Sequence, residues 1–328
     1  MKRNLLSLTA ALVLGVAAAG TAANGANAAE KLKYAHVYET SEPYHKWALW
    51  AADEIKKQTN GRYEIEVFPA SSLGKESDIN EGLGLGTVDI IMTGALFAGR
   101  FYGPIAISGA PYMFRDFDHW KAYTTSDLFK ELSDGYRKKV GHPVLAMTYY
   151  GERHVTANKA INTPADMKNL KIRVPDAPLY RMFPEAVGAN PTPIAFAEVY
   201  LALQQGVADA QENPLPTIQA KKFYEVQKYI MLTGHITDSL LTIVSGMRWD
   251  NLKPEDQKIF AAVLKEAAGK ATADIVQSEK ELAAWFEKQG VNVVKVDRKP
   301  FRDETVKLHN GKSATWDKAT YDKLQALK

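Results

Sequence analysis

Two rhythms of apolar and polar positions run through the first two thirds of the chain. Residues 31–37, 63–68 and 88–92 are short runs of β-branched, aromatic and alternating character, which read as strands. Residues 44–58 and 75–86, between them, repeat their apolar positions every three or four residues and read as helices. Asn60-Gly61 supplies the turn after the first helix. This βαβ order predicts an α/β fold. Further strands are expected at 144–150, 155–158, 171–174 and 207–210, with helices at 178–187 and 197–205. After Gln227 two more extended apolar runs, 227–233 and 240–244, precede a helical pattern that Pro254 opens and Gly290 closes. At ~1.5 Å per residue that helix is roughly 50 Å long, more than one domain requires, so it is expected to brace two. The polar tail from Pro300 reads as helical, anchored by Trp316 and Tyr321, and no internal repeat or low-complexity linker is evident.

The N-terminus changes the picture of where the protein works. Lys2 and Arg3, an apolar stretch over residues 5–19 and the small residues up to Ala26-Asn27-Ala28-Ala29 form the pattern of a secretory signal peptide, residues 1–29. The stretch is shorter than the roughly 20 apolar residues of a membrane span, and Ser7, Thr9 and Gly15 interrupt it. Cleavage near Ala28 or Ala29 removes two positive charges and no acid, taking the formal net charge from +3 to +1. The paired lysines at 56–57, 138–139 and 221–222 are scattered among acids, unlike the concentrated basic stripe that nucleic acid requires, so nucleic acid is excluded as a partner. Cysteine is absent, which rules out a disulfide framework, a thiolate nucleophile and a lipidated cysteine. About 300 remaining residues suit two domains with adequate cores.

Enzyme signatures are missing. The sequence has no Gly-x-Ser-x-Gly, His-Glu-x-x-His, calcium-loop or phosphate-loop motif. Gly82, Gly84 and Gly86 in "GLGLGTVD" precede a strand, whereas a phosphate loop follows one, so they read as a helix end. The seven histidines lack ligand spacing, and neither a metal nor a cofactor is expected. Arginine is more informative. Arg173 in "LKIRVPD" and Arg153 in "YGERHVTAN" sit at strand ends, where a guanidinium needs an anion: either a nearby acid (Glu152, Asp176 or Glu212) or a carboxylate from outside. Asn213, at the exit of the expected strand 207–210 and before Pro214, either caps the next helix or offers its amide to a ligand.

The segments "LKIRVPD", "NPTPIAFAEVYLALQQGVADAQENPL" and "KKFYEVQKYI" resemble the substrate-binding proteins of tripartite ATP-independent periplasmic (TRAP) transporters, a group that includes C4-dicarboxylate and sialic-acid binders. The likeness extends from "KLKYAHVYETS" through "VFPASSLGKESD" and "GTVDII" to "FEKQGVNVV". It implies a two-domain periplasmic binding protein fold with crossing interdomain strands and the long helix as brace. Residues 30–150 with 239–278 would form one domain, and 151–238 with 279–328 the other. It further implies a periplasmic, monomeric, non-catalytic receptor that closes on an organic anion and passes it to a membrane permease.

By that resemblance Arg173 makes the main salt bridge to the ligand's acid group, Arg153 and Asn213 complete the anion site, and Phe196 lines the cleft. Glu76, Thr93, Tyr38, Tyr150 and His235 are the remaining expected ligand contacts. After the third strand this chain reads "IMTGALFAG", without the charged residues that sialic-acid binders carry there. A smaller acid is therefore expected, carboxylate or sulfonate such as isethionate, with a uronate, another sugar acid or a C4-dicarboxylate as alternatives. An enzyme acting on acidic sugars would have only Glu76, His235 and Asp238 as acid and base, and their spacing does not support that work.

Overall fold

The computed structural model describes residues 28–328, and the expected leader lies outside them except for its last two positions. One sheet runs through the molecule. Its strands are β1 (Glu30–Ala35), β2 (Tyr63–Phe68), β3 (Ile90–Gly94), β4 (Val144–Ala157), β5 (Lys171–Val174), β6 (Asn190–Pro193), β7 (Ala210–Pro214), β8 (Tyr229–Val244) and β9 (Asn292–Val294). Their order is β2-β1-β3-β8-β4-β7-β5-β6, with β9 beside β8. β1 runs parallel to β2 and β3, and β5 parallel to β6 and β7. The pairs β3–β8, β8–β4 and β4–β7 at the centre are antiparallel. The α/β architecture with two domains follows, each half of the sheet carrying its own helices.

β4 and β8 cross from one half to the other. Each reads from sequence as two strands, 144–150 with 155–158 and 227–233 with 240–244, yet each is continuous, over 14 and 16 residues. Gly151-Glu152-Arg153 and the polar run from His235 to Ser239 hide the continuity, because these residues cross the waist, where the environment is polar. The register slips between Tyr149 and Gly151 and again between Arg153 and Val155, as at β-bulges. Gly151 takes φ +119°, a conformation that side-chain-bearing residues rarely adopt.

The two halves repeat each other, contrary to the sequence reading. In the first, Asp89 N–H donates to Lys33 O at 3.1 Å and Lys33 N–H returns to Asp89 Oδ2 at 2.8 Å. In the second, Asp209 N–H donates to Lys171 O at 2.8 Å and Lys171 N–H returns to Asp209 Oδ2 at 3.1 Å. Each pair follows a glycine in the left-handed region that ends a helix, Gly86 (φ 72°) and Gly206 (φ 71°). Each precedes a strand, β3 or β7, that runs straight into a short helix, Ala95–Ala98 or Leu215–Ala220. The only sequence trace is "GTVD" against "GVAD".

The helix Pro254–Lys288 runs along both halves as expected. Its Phe260, Leu264 and Ile275 join the larger core with Leu32, Ile90 and Leu241, whereas Leu282 and Phe286 join Val199, Ile218 and Ile230 in the second half. It is also tied to the waist. Tyr149 N–H donates to Thr272 Oγ1 at 3.1 Å, Glu152 N–H to Glu279 Oε1 at 2.6 Å and the Tyr149 hydroxyl to Glu279 Oε2 at 3.0 Å. Backbone donors at the register slips thus find partners on the brace. Trp316 and Leu324 of the tail pack into the larger core.

Burial pushes the Glu279 carboxyl up to about 7. A raised acid gives its full stability below the ordinary carboxyl range and loses it as pH rises through the folded value. Glu279→Gln cannot titrate, so its stability relative to wild type is expected to rise between pH 5 and pH 8 in urea unfolding. A pH-independent difference would show that the carboxyl is not shifted.

Candidate functional site

The polar end of β7 that looked like a strand exit is the strand itself. β7 begins at Ala210, not Val207, and Gln211, Glu212 and Asn213 are all buried in it. Pro214 ends the ladder opposite Arg153, and Asn213 opposes His154. Asn213 does not cap the following helix, whose N-cap position is Pro214. Its Oδ1 accepts from the Tyr150 hydroxyl at 3.1 Å and its Nδ2 donates to Gln211 Oε1 at 2.6 Å.

Arg153 is 2 % exposed and is held by acids of the chain itself. Its Nε and Nη2 donate to the two Glu212 carboxylate oxygens, Nη2 also to Glu212 O at 2.8 Å, and Nη1 to Asp238 Oδ2 at 3.0 Å. Burial opposes the Arg153 charge, but Glu212 outweighs it and holds the guanidinium above its ordinary value. Burial likewise works to raise Glu212, and Arg153 with His235 reverses this, bringing the carboxyl down to about 2. Asp238 receives less of that charge, and burial pushes it up to about 6. His235 bonds Glu212 Oε2 through Nε2 at 3.1 Å and stacks on Phe183 at 4.0 Å between centroids.

Arg173 is the opposite case. It sits on β5, is 1 % exposed, and has no acid within ion-pair distance among the described residues. Nε and Nη2 both donate to Ile194 O, at 2.9 and 2.7 Å, while the buried Nη1 has no partner. Burial, offset only in part by the charge of Glu212, pushes this guanidinium down to about 10. A buried, unpaired donor on a cation is costly to keep.

Both arginines face one cavity between the two halves, with about 480 Å³ of empty space including its mouth. Arg153, Arg173, Asn213, Phe196, Glu76, Tyr38 and Tyr150 all line it, as does Tyr180, which the sequence reading missed. Thr93 and His235 do not line it. Thr93 lies behind Glu76, donating to its Oε1 at 2.9 Å, and His235 lies behind Glu212. Tyr180 reaches across from the second half, and a Cβ on Gly94 would stand 3.0 Å from its hydroxyl, a close approach that suits glycine. The sequence reading places Tyr180 in a helix over 178–187, where nothing marks it as a cleft residue; it lies in the short turn of 3₁₀ helix Pro178–Arg181.

The halves are shut on each other around this cavity. Thr217 Oγ1 donates to Glu42 Oε1 at 2.6 Å and Lys221 Nζ to Glu39 Oε1 at 2.7 Å. Arg173 lies 5.9 Å from the Phe196 ring centre and Arg153 5.1 Å from that of Tyr180, distances at which a cation gains from the ring.

Comparison with known proteins agrees with this geometry. Residues 34–314 match the family model described as bacterial extracellular solute-binding protein, family 7. The chain is 32% identical over 307 residues to the sialic acid-binding periplasmic protein SiaP of Vibrio cholerae, covering 94% of this chain and 96% of that protein. It is 33% identical over 304 residues to the 2,3-diketo-L-gulonate-binding periplasmic protein YiaO of Escherichia coli, covering 91% of each. A TRAP periplasmic solute-binding protein from Polaromonas sp JS666, bound to D-erythronate, superposes with a TM-score of 0.87 at 32% identity, covering 91% of this chain and 99% of that one.

Glu212→Ala leaves Arg153 buried with Asp238 as its only acid. The expected loss of stability is roughly 3–5 kcal/mol in urea unfolding, and Glu212→Gln, which keeps an acceptor, is expected to lose less. A loss within experimental error for both variants would mean that the pair does not hold the waist together.

Proposed function

Because the chain belongs to the family 7 bacterial extracellular solute-binding proteins, we propose that Arg173 captures the acid group of a small organic anion between the two closing domains. Receptors of this family bind small acids and serve a membrane permease of the TRAP type. The observation that carries the reading for this chain is the buried Arg173 Nη1 without a partner, in the wall of an enclosed cavity. A carboxylate there would supply the missing acceptor and the missing charge. The second Nδ2–H of Asn213 would hold the remaining oxygen from the side, while Arg153, already neutralised by Glu212 and Asp238, supports β7 more than it supplies charge.

The relatives favour a carboxylate, since their described ligands are sialic acid, 2,3-diketo-L-gulonate and D-erythronate. A sulfonate such as isethionate also fits guanidinium donors and belongs in the same screen. The protein works in the periplasm after loss of its leader, as a monomer, without a cofactor and without turning its ligand over. Its domains hinge where β4 and β8 cross the waist, near residues 150–151 and 238–239. Ligand would draw an open population into the closed form by touching both walls.

A thermal-shift screen of carboxylates and sulfonates tests this. A ligand at about 100 times its dissociation constant adds about 2.7 kcal/mol, enough for a clear upward shift. Wild type is expected to respond to at least one acid and Arg173→Ala to none. Unchanged affinity in Arg173→Ala would sink the proposed anion site, and turnover of the acid would make the protein an enzyme instead.

A further inference from the structure

The cavity's charges are unequally distributed, and this bears on which acid fits. At the second domain's wall stands Arg173, whose Nη1 is without an acceptor. The facing wall carries Glu76. Part of its side chain stays exposed while its carboxyl end is enclosed, and Oε1 accepts from Gly94 N–H at 2.7 Å and from the Thr93 hydroxyl at 2.9 Å. No hydrogen bond to Oε2 is present among the described residues, and no cation pairs with this carboxyl. Arg153 is committed to Glu212 and Asp238. Lys75 is mostly exposed at the mouth, where its nearest acid is Glu198 at 3.9 Å. Asp176 is exposed at the rim. The remaining groups that face Glu76 are Tyr38, Tyr180 and Asp238, none of them a cation.

We infer that the cleft takes a hydroxy-monocarboxylate, its carboxylate on Arg173 and its hydroxyl on Glu76, and that Glu76 is the residue that turns a second carboxylate away. The inference rests on Arg173 as the anion's partner. One uncommitted guanidinium compensates one negative charge. A dicarboxylate would set its second anion against Glu76 and Asp238 in an enclosed space, where like charges repel strongly. A ligand hydroxyl, in contrast, donates to the free Oε2, and Tyr38 and Tyr180 have hydroxyls with no partner among the described residues to meet its oxygen. Burial, with Asp238 adding to it, already pushes the Glu76 carboxyl up to about 7, so a further anion beside it is poorly tolerated while it is charged.

Isothermal titration at pH 8, where Glu76 is charged, tests this with matched acids: glycolate, lactate and glycerate against propionate, malonate, succinate and malate. Wild type is expected to bind its best hydroxy-monocarboxylate about tenfold more tightly than propionate or any of the dicarboxylates. Glu76→Gln keeps an acceptor for Gly94 and Thr93, and is expected to shrink both preferences to less than threefold. Between pH 8 and pH 6, wild-type binding of succinate is expected to strengthen as Glu76 takes up its proton, with a smaller change in Glu76→Gln. Equal affinity of wild type for succinate and glycerate at pH 8, or unchanged selectivity in Glu76→Gln, overturns the inference and leaves the Arg173 site standing. Loss of all acid binding in wild type, or full binding by Arg173→Ala, overturns the site and the inference with it.

Discussion

A guanidinium that is 2 % exposed has to be neutralised where it stands, and Arg153 meets that demand with two acids from two other strands. Glu212 comes from β7 and Asp238 from β8, so one side chain on β4 clamps the three strands that meet at the waist. Much of the site depends on this clamp. It fixes the end of β7, and so the place of Asn213, and it consumes the charge of Arg153. Arg173 is left as the single buried cation in the cavity wall without an acid. Two arginines that look equivalent in sequence therefore differ in kind.

The long helix completes the frame. Thr272 and Glu279 accept from the backbone of Tyr149 and Glu152, on either side of Gly151. The same helix reaches the cores of both halves. A strand that bends at a bulge would otherwise leave donors without partners in a poorly solvated place. The brace satisfies them and keeps the bend local.

The chain's periodicity made the individual elements readable, because most strands and helices here bury one face against a core. β2 and β5 lie where the apolar runs put them, and the long helix starts at Pro254. What could not be read was continuity across the waist, since Gly151, Arg153, His235 and Asp238 are polar for reasons of tertiary contact and not of local pattern. The duplication was likewise hidden, because it survives in sequence only as a few residues, chiefly the Gly and Asp of "GTVD" and "GVAD". Within the site, Arg173 and Asn213 stood out as polar groups at strand ends, and seven of the nine expected contacts line the cavity. Thr93 and His235 lie one layer further back, and Tyr180 was invisible because an irregular turn carries it across the cleft.

The repeated halves of the sheet have one telling mismatch. The pairs Lys33–Asp89 and Lys171–Asp209 set Ala35 of the first half opposite Arg173 of the second. One copy of the same strand position bears a methyl group, the other a cation. The wall that carries the unpaired cation, with Ile194 O beneath Arg173 and Asn213 beside it, is therefore built within one domain. It exists before the domains meet, so an anion has a landing place in the open molecule, and the other domain arrives afterwards as the jury on its shape.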